Sequence, residues 1–163
     1  MAAQSFRAGV VMVVRRDDGA LLACERADAP GSWQLPQGGI DPDESPVDAA
    51  WRELGEETGL TVGHVRLVSE LPDWIVYEWP PELRTATRKF GASVRGQAQK
   101  WFLFGVVPSD DDVDDLGHAH HVEPRVDERE FRAWTWMDPH TLVETVVEWR
   151  RDAYRRAFSR LLP

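Results

Sequence analysis

Residues 45 to 59, SPVDAAWRELGEETG, carry a full set of helix end signals. Ser45 suits the N-cap, Pro46 the first helical position, Asp48 the partner in a capping box, and Gly59 the stop. On a helical wheel, Val47, Ala50, Trp51 and Leu54 fall within about 100° of one another and predict the core face. Glu53, Glu56 and Glu57 share a separate arc. Glu53 faces Glu56 at i,i+3 and Glu57 at i,i+4, and each like-charge pair costs a bare helix roughly 0.2–0.5 kcal/mol. Gly55 adds roughly 1 kcal/mol relative to alanine. Local physics opposes this helix unless positive charge sits among the carboxylates or all three face water. On the glutamates alone the two readings stand level.

The rest of the chain supplies strands around that helix. Ala8 to Arg15 is an apolar strand, Asp17-Asp18-Gly19 a hairpin turn, and Ala20 to Arg26 the returning partner. Residues 28 to 45 are rich in Pro, Gly and Asp and read as loop. Val62 to Ser69 and Trp74 to Glu78 read as short strands, 82 to 98 as irregular and basic, and Gln99 to Val107 as a strong strand. An acidic loop over about 109–129 precedes a strand at Phe131 to Trp136. Helix follows from Pro139 to Leu162, with a break near Val147. Strands on both sides of a central helix, then a terminal helix, predict an α/β fold with a mixed sheet between helices, one domain over 1–163.

The net charge of -9 is unevenly spread. Residues 41 to 60 hold seven acids and one base, and residues 110 to 130 hold nine acids and two bases. Packets of this kind suit bound cations in one case and a solvated loop in the other. No apolar run approaches the roughly 20 residues of a membrane span, and the first residues lack a signal-peptide layout. A lone cysteine, Cys24, reads as a small strand hydrophobe in a reducing, cytoplasmic setting. Carboxylate-only ligands suit Mg²⁺, with Mn²⁺ a substitute, better than zinc, and Mg²⁺ suits a phosphate-bearing substrate.

The longer pattern runs Gly38, five residues, Glu44, seven residues, Arg52-Glu53-Leu54, one residue, Glu56-Glu57, one residue, Gly59-Leu60. It resembles the Nudix box at every fixed position, over residues 38–60. The resemblance implies a Nudix fold and metal-dependent hydrolysis of a nucleoside diphosphate linked to another group. It also implies that Glu53, Glu56 and Glu57 are metal ligands, joined by the Gly38 carbonyl. Arg52 would pair with a box glutamate and orient it, and Glu44 would brace the loop. Glu130, just before the last strand, is the distant candidate for a metal ligand or general base.

The stretches SWQLPQGGID, PDWIVYEWPPELR, GQAQKWFLF and EFRAWTW are similar to the branch of bacterial RNA pyrophosphohydrolases and asymmetric diadenosine tetraphosphate hydrolases. The implied substrates are dinucleoside polyphosphates, the 5′-triphosphate end of RNA, or both. Arg7 and Lys100 are candidate phosphate contacts, with Arg84, Arg88 and Lys89 as further ones. Tyr77 and Trp74 are candidate base-stacking faces, while Trp33, Trp101, Trp134 and Trp136 read as packing residues. His118, His120 and His121 sit in the acidic loop and read as solvated. Neither a membrane nor an obligate protein partner is implied. A free-triphosphate sanitiser and a non-catalytic nucleotide-sensing module are the competing readings. The second conflicts with the complete set of box glutamates.

Overall fold

The computed structural model describes residues 4–86, 93–108 and 122–163. Its centre is a mixed sheet built on strand β1 (Ser5–Arg15). The run VVMVV at 10–14 is wholly buried, because it is covered on both faces. Val10, Met12 and Val14 point to one core; Val11 and Val13 point to another. Strands β2 (Leu21–Arg26), β3 (Trp33–Gln34) and β4 (Gln37–Gly39) follow. β1 meets β4 through Gly9–Val11 but meets β2 only at Arg15. The two partners therefore diverge and leave a fork. The parallel neighbour of β1 is β7 (Val94–Val106), which also pairs antiparallel with β5 (Val65–Glu70) and β6 (Ile75–Glu78). β8 (Phe131–Met137) closes against β2.

Helix α1 (Pro46–Thr58) covers the first face. Ser45 Oγ accepts from the Asp48 backbone N–H at 3.2 Å and donates to Asp48 Oδ2 at 2.6 Å, as the capping signal requires. Gly59 ends the helix at φ 70°, the left-handed conformation that favours glycine. Ala49, Ala50 and Leu54 are buried, and Trp51 sets its edge on Phe104 at 4.8 Å. Helices α3 (Pro139–Thr145) and α4 (Glu148–Leu161) cover the other face, where Tyr154 and Phe158 pack edge-on against Trp101. The break between them falls at Val146 and Val147, both extended. Cys24 is buried in the α1-side core, as expected. Among the described residues no helix is long and apolar enough to cross a membrane.

Two stretches differ from expectation. Within 82–98, the described residues are not irregular: 82–86 belong to helix α2 (Pro81–Ala86) and 94–98 open β7, while 87–92 lie outside the described residues. Glycine and glutamine hid that strand, and glycine is there because a Cβ on Gly96 would lie 2.0 Å from the Tyr77 carbonyl oxygen. The 28–45 segment likewise holds β3 and β4, which are two and three residues long and too short to show a period.

Candidate active site

The fork below β1 opens into a cavity of about 660 Å³. α1 supplies Glu53 and Glu57 to one wall, with Gln37, Gly38 and Gly39 of β4 beside them. Glu130 joins them from the turn before β8. Its backbone is tied down, since its N–H donates to the Asp127 carbonyl at 3.0 Å and its carbonyl accepts from Ala27 N–H at 2.8 Å. Arg125 and Asp127 in turn donate to the Thr58 and Glu57 carbonyls at 2.8 and 3.1 Å.

The three box glutamates are not equivalent. Glu57 is 5% exposed, while the Glu53 and Glu56 side chains are 15% and 61% exposed. The wheel explains it: Glu57 stands only about 20° from Ala50 around the helix. Burial pushes the Glu57 carboxyl up to about 9, against the Gln37 N–H that donates to its Oε2 at 2.9 Å. The charges of Glu130, Glu53 and Glu56 add to that rise. Burial also raises Glu53, opposed by Arg52. Gly38 is a packing necessity, because a Cβ there would stand 1.9 Å from the Glu53 carboxylate carbon.

Arg52 is the hub of the loop that leads into α1. Its Nε and one terminal nitrogen grip both oxygens of Glu44 at 2.8 Å, and that second nitrogen also reaches the Gly39 carbonyl at 3.0 Å. Its other terminal nitrogen donates to Glu53 Oε1 at 2.9 Å and Glu56 Oε2 at 3.4 Å. Glu44 accepts the Asp41 N–H at 2.9 Å, and its hydrogen bonds from Arg52, then from Asp41, hold its carboxyl down at about 2. Arg52 thus fixes the Glu53 carboxylate, while Glu44 braces the 41–44 turn.

The donors are all oxygens, which fits a hard divalent cation. Among the described residues, no three of them yet converge into a ready cation site. Arg52 holds Glu53, Gln37 holds Glu57, and Glu56 points to solvent. A cation would be gathered by side-chain rotation on a fixed helix.

The rest of the cavity wall is positive and polar. Arg7, Arg26, Arg129 and Arg150 line it with Gln34 and Gln97, and Trp79 and Trp149 give it aromatic faces. Arg7 sits within β1 and packs on Gly39, where a Cβ would meet its guanidinium at 2.5 Å. Of this wall only Arg7 was expected. Strand parity offered a missed signal for Gln97, which shares the face of Gln99, Trp101 and Leu103.

Three expected contacts do not line the cavity. Lys100 falls on the other face, with Phe102 and Phe104. Its ammonium donates to the Leu71 and Pro72 carbonyls at 2.7 and 2.9 Å, in a separate depression beside Pro46 and Val47. Tyr77 is 8% exposed and its ring packs in the α4-side core, so it has no free face for stacking. Trp74 is 43% exposed and lies outside the cavity lining. Arg84 holds Glu78 and the Trp79 carbonyl. Arg88, Lys89 and the three histidines lie outside the described residues.

A model of the NUDIX domain matches residues 5–157. The chain belongs to the Nudix family. The RNA pyrophosphohydrolase of Cereibacter sphaeroides is 39% identical over 156 residues, 95% of this chain and 88% of that protein. Nudix hydrolase 26, chloroplastic, of Arabidopsis thaliana is 35% identical over 96% of this Nudix chain and 69% of its own length. The structure of the E. coli dihydroneopterin triphosphate pyrophosphohydrolase superposes with a TM-score of 0.71 at 20% identity, covering 95% of this chain and 97% of that one. That likeness extends the Nudix identity to the fold.

Proposed function

We propose that the forked cavity is the active site of a Nudix pyrophosphohydrolase that cleaves phosphoanhydride bonds in nucleoside polyphosphates. The observation that carries this reading is the mixed charge of one cavity: carboxylates from α1 and the β8 turn share its lining with guanidinium groups. A polyphosphate needs both, because a divalent cation bridges its oxygens to carboxylates while arginines bind the remaining charge. Glu53, Glu56, Glu57 and Glu130, with the Gly38 carbonyl, would hold the cation, Mg²⁺ or in its place Mn²⁺. When bound, the cation acidifies water and offsets charge on the phosphate oxygens.

The chain's own residues do the rest. Arg52 keeps the Glu53 carboxylate in place. The buried Glu57 carboxyl must release its proton before it can ligate, so the site prefers a cation to an empty ionised state. Glu130, on its anchored turn, would be the group that takes the proton from the attacking water. Water oxygen bonds to phosphorus, the bridging oxygen leaves with the electron pair, and the carboxylate keeps the proton.

The curated relatives named RNA pyrophosphohydrolase support the 5′-triphosphate end of RNA as a substrate. Dinucleoside polyphosphates remain in the same class. The expected stacking faces, Trp74 and Tyr77, and the expected phosphate contact Lys100 do not line the cavity. The lone buried thiol supports a reducing, cytoplasmic setting. The test is a panel assay with Mg²⁺ on 5′-triphosphorylated RNA, diadenosine tetraphosphate and free triphosphates. Turnover of RNA ends or dinucleoside polyphosphates with the higher kcat/KM supports the proposal. Turnover of free triphosphates alone would remove RNA ends and dinucleoside polyphosphates as the substrates, and turnover of none of the three would remove the proposal.

A further inference from the structure

A row of amides, three of them buried, borders the cavity, and its direction can be worked out from donor chemistry. Three glutamines line the cavity: Gln34, Gln37 and Gln97. The carbonyl oxygen of each already has a donor. Arg150 donates to Gln34 Oε1 at 2.7 Å. Gln99 Nε2 donates to Gln97 Oε1 at 2.7 Å and to Gln37 Oε1 at 3.5 Å. Tyr77 donates to Gln97 Oε1 at 2.8 Å.

An amide can be turned over, so these directions need an anchor. Tyr77 provides it. The Arg150 guanidinium exerts its positive charge on that hydroxyl, so the hydroxyl turns its oxygen to Arg150 and its proton away. The proton then goes to Gln97, whose Oε1 lies 2.8 Å from the hydroxyl. Gln97 then meets Tyr77 with oxygen. Gln99 must give N–H to Gln97 and to Gln37. The row has one consistent direction, and it leaves the N–H₂ end of each cavity glutamine as the end turned to a ligand. The geometry is tight enough to hold: Tyr77 and Gln97 are cross-strand partners, and Gly96 lets β6 and β7 approach closely beside them.

We infer that Tyr77 is a positioning residue that fixes Gln97, and through Gln99 also Gln37, as hydrogen-bond donors toward an acceptor-only ligand. A polyphosphate is such a ligand. The inference rests on the proposed function for the ligand's identity, but the amide direction does not depend on it. Tyr77 thus bears on substrate without touching it, through its hydroxyl and not its ring face.

The experiment is Tyr77→Phe in the full chain, alone and combined with Gln97→Met. Binding of a methylene-bridged, non-hydrolysable nucleoside triphosphate is measured by calorimetry with Mg²⁺. Alongside it, the side-chain amide signals of ¹⁵N-labelled protein are recorded. Tyr77→Phe should weaken binding about tenfold and shift the Gln97 and Gln37 amide signals. In the Gln97→Met background it should weaken binding no further. An equal loss in both backgrounds, or a lowered Tm with unchanged affinity and amide signals, would overturn the inference. Should Tyr77→Phe not fold, Gln97→Glu serves instead, since it places an oxygen where the N–H₂ stands. Loss of analogue binding supports the inference and wild-type affinity overturns it. If wild type bound no polyphosphate, the proposed function would fail, while the amide signals would still decide whether Tyr77 sets the direction of the row.

Discussion

The two walls of the cavity acquire their chemistry by opposite routes. The acidic wall comes mostly from one continuous stretch, Gln37 to Glu57, with Glu130 added from a single turn. The donor wall gathers Arg7, Gln34, Gln97, Arg129 and Arg150 from β1, β3, β7, a loop and α4. A local stretch can be read from spacing, because helix geometry fixes which residues share a face. A wall assembled across five segments cannot be read that way. The acidic wall should therefore control turnover and the donor wall affinity.

The largest effect should come from the acidic wall. Glu57→Gln, and separately Glu53→Gln, should lower kcat on the order of a thousandfold, with a smaller change in KM. Steady-state kinetics on the best substrate of the panel checks this. A larger effect on KM than on kcat would erase the contrast between the walls. Gly38→Ala should come next, at about a hundredfold in kcat, because the added methyl displaces the Glu53 carboxylate without altering charge. On the donor wall, Trp149→Ala should raise KM about tenfold and leave kcat within a factor of about two.

The pH dependence sharpens the comparison. Without a cation, the Glu57 carboxyl in the folded protein ionises only at about 9, against 4.5 for an ordinary glutamate. Between those values the folded state holds a proton that the unfolded chain has lost. Stability of the metal-free protein should therefore be highest below 4.5 in respect of this group, and fall as pH rises toward 9. Glu57→Gln should flatten that slope, as should Mg²⁺. Thermal melts in chelator across that range provide the measurement. The smallest effect should be Lys100→Met. It loses a clasp on two carbonyls, lowering stability by about 1 kcal/mol, and should leave kcat/KM unchanged.

Much of α1 was legible because its signals are local. Ser45, Pro46 and Gly59 mark its ends, and its glutamates separate from Leu54 on the wheel. The burial of Glu57 was legible too, in its nearness to Ala50, but a shared acidic arc drew attention away from it. Lys100 was misplaced because charge was weighed ahead of strand parity. Tyr77 was misread for a different reason. An aromatic ring beside a nucleotide site suggests stacking, yet its burial depends on α4, some eighty residues on. Arg150 and Trp149 gave no sign at all, since a basic amphipathic helix looks the same whether its arginines meet water or a cavity.

The turn that bears Glu130 is measured off from the end of α1, through the Arg125–Thr58 and Asp127–Glu57 backbone hydrogen bonds. Residues 109–121 enter the chain upstream of those two ties. That segment can therefore be lengthened, shortened or recomposed without moving Glu130 away from α1, which leaves at this point a place for new sequence.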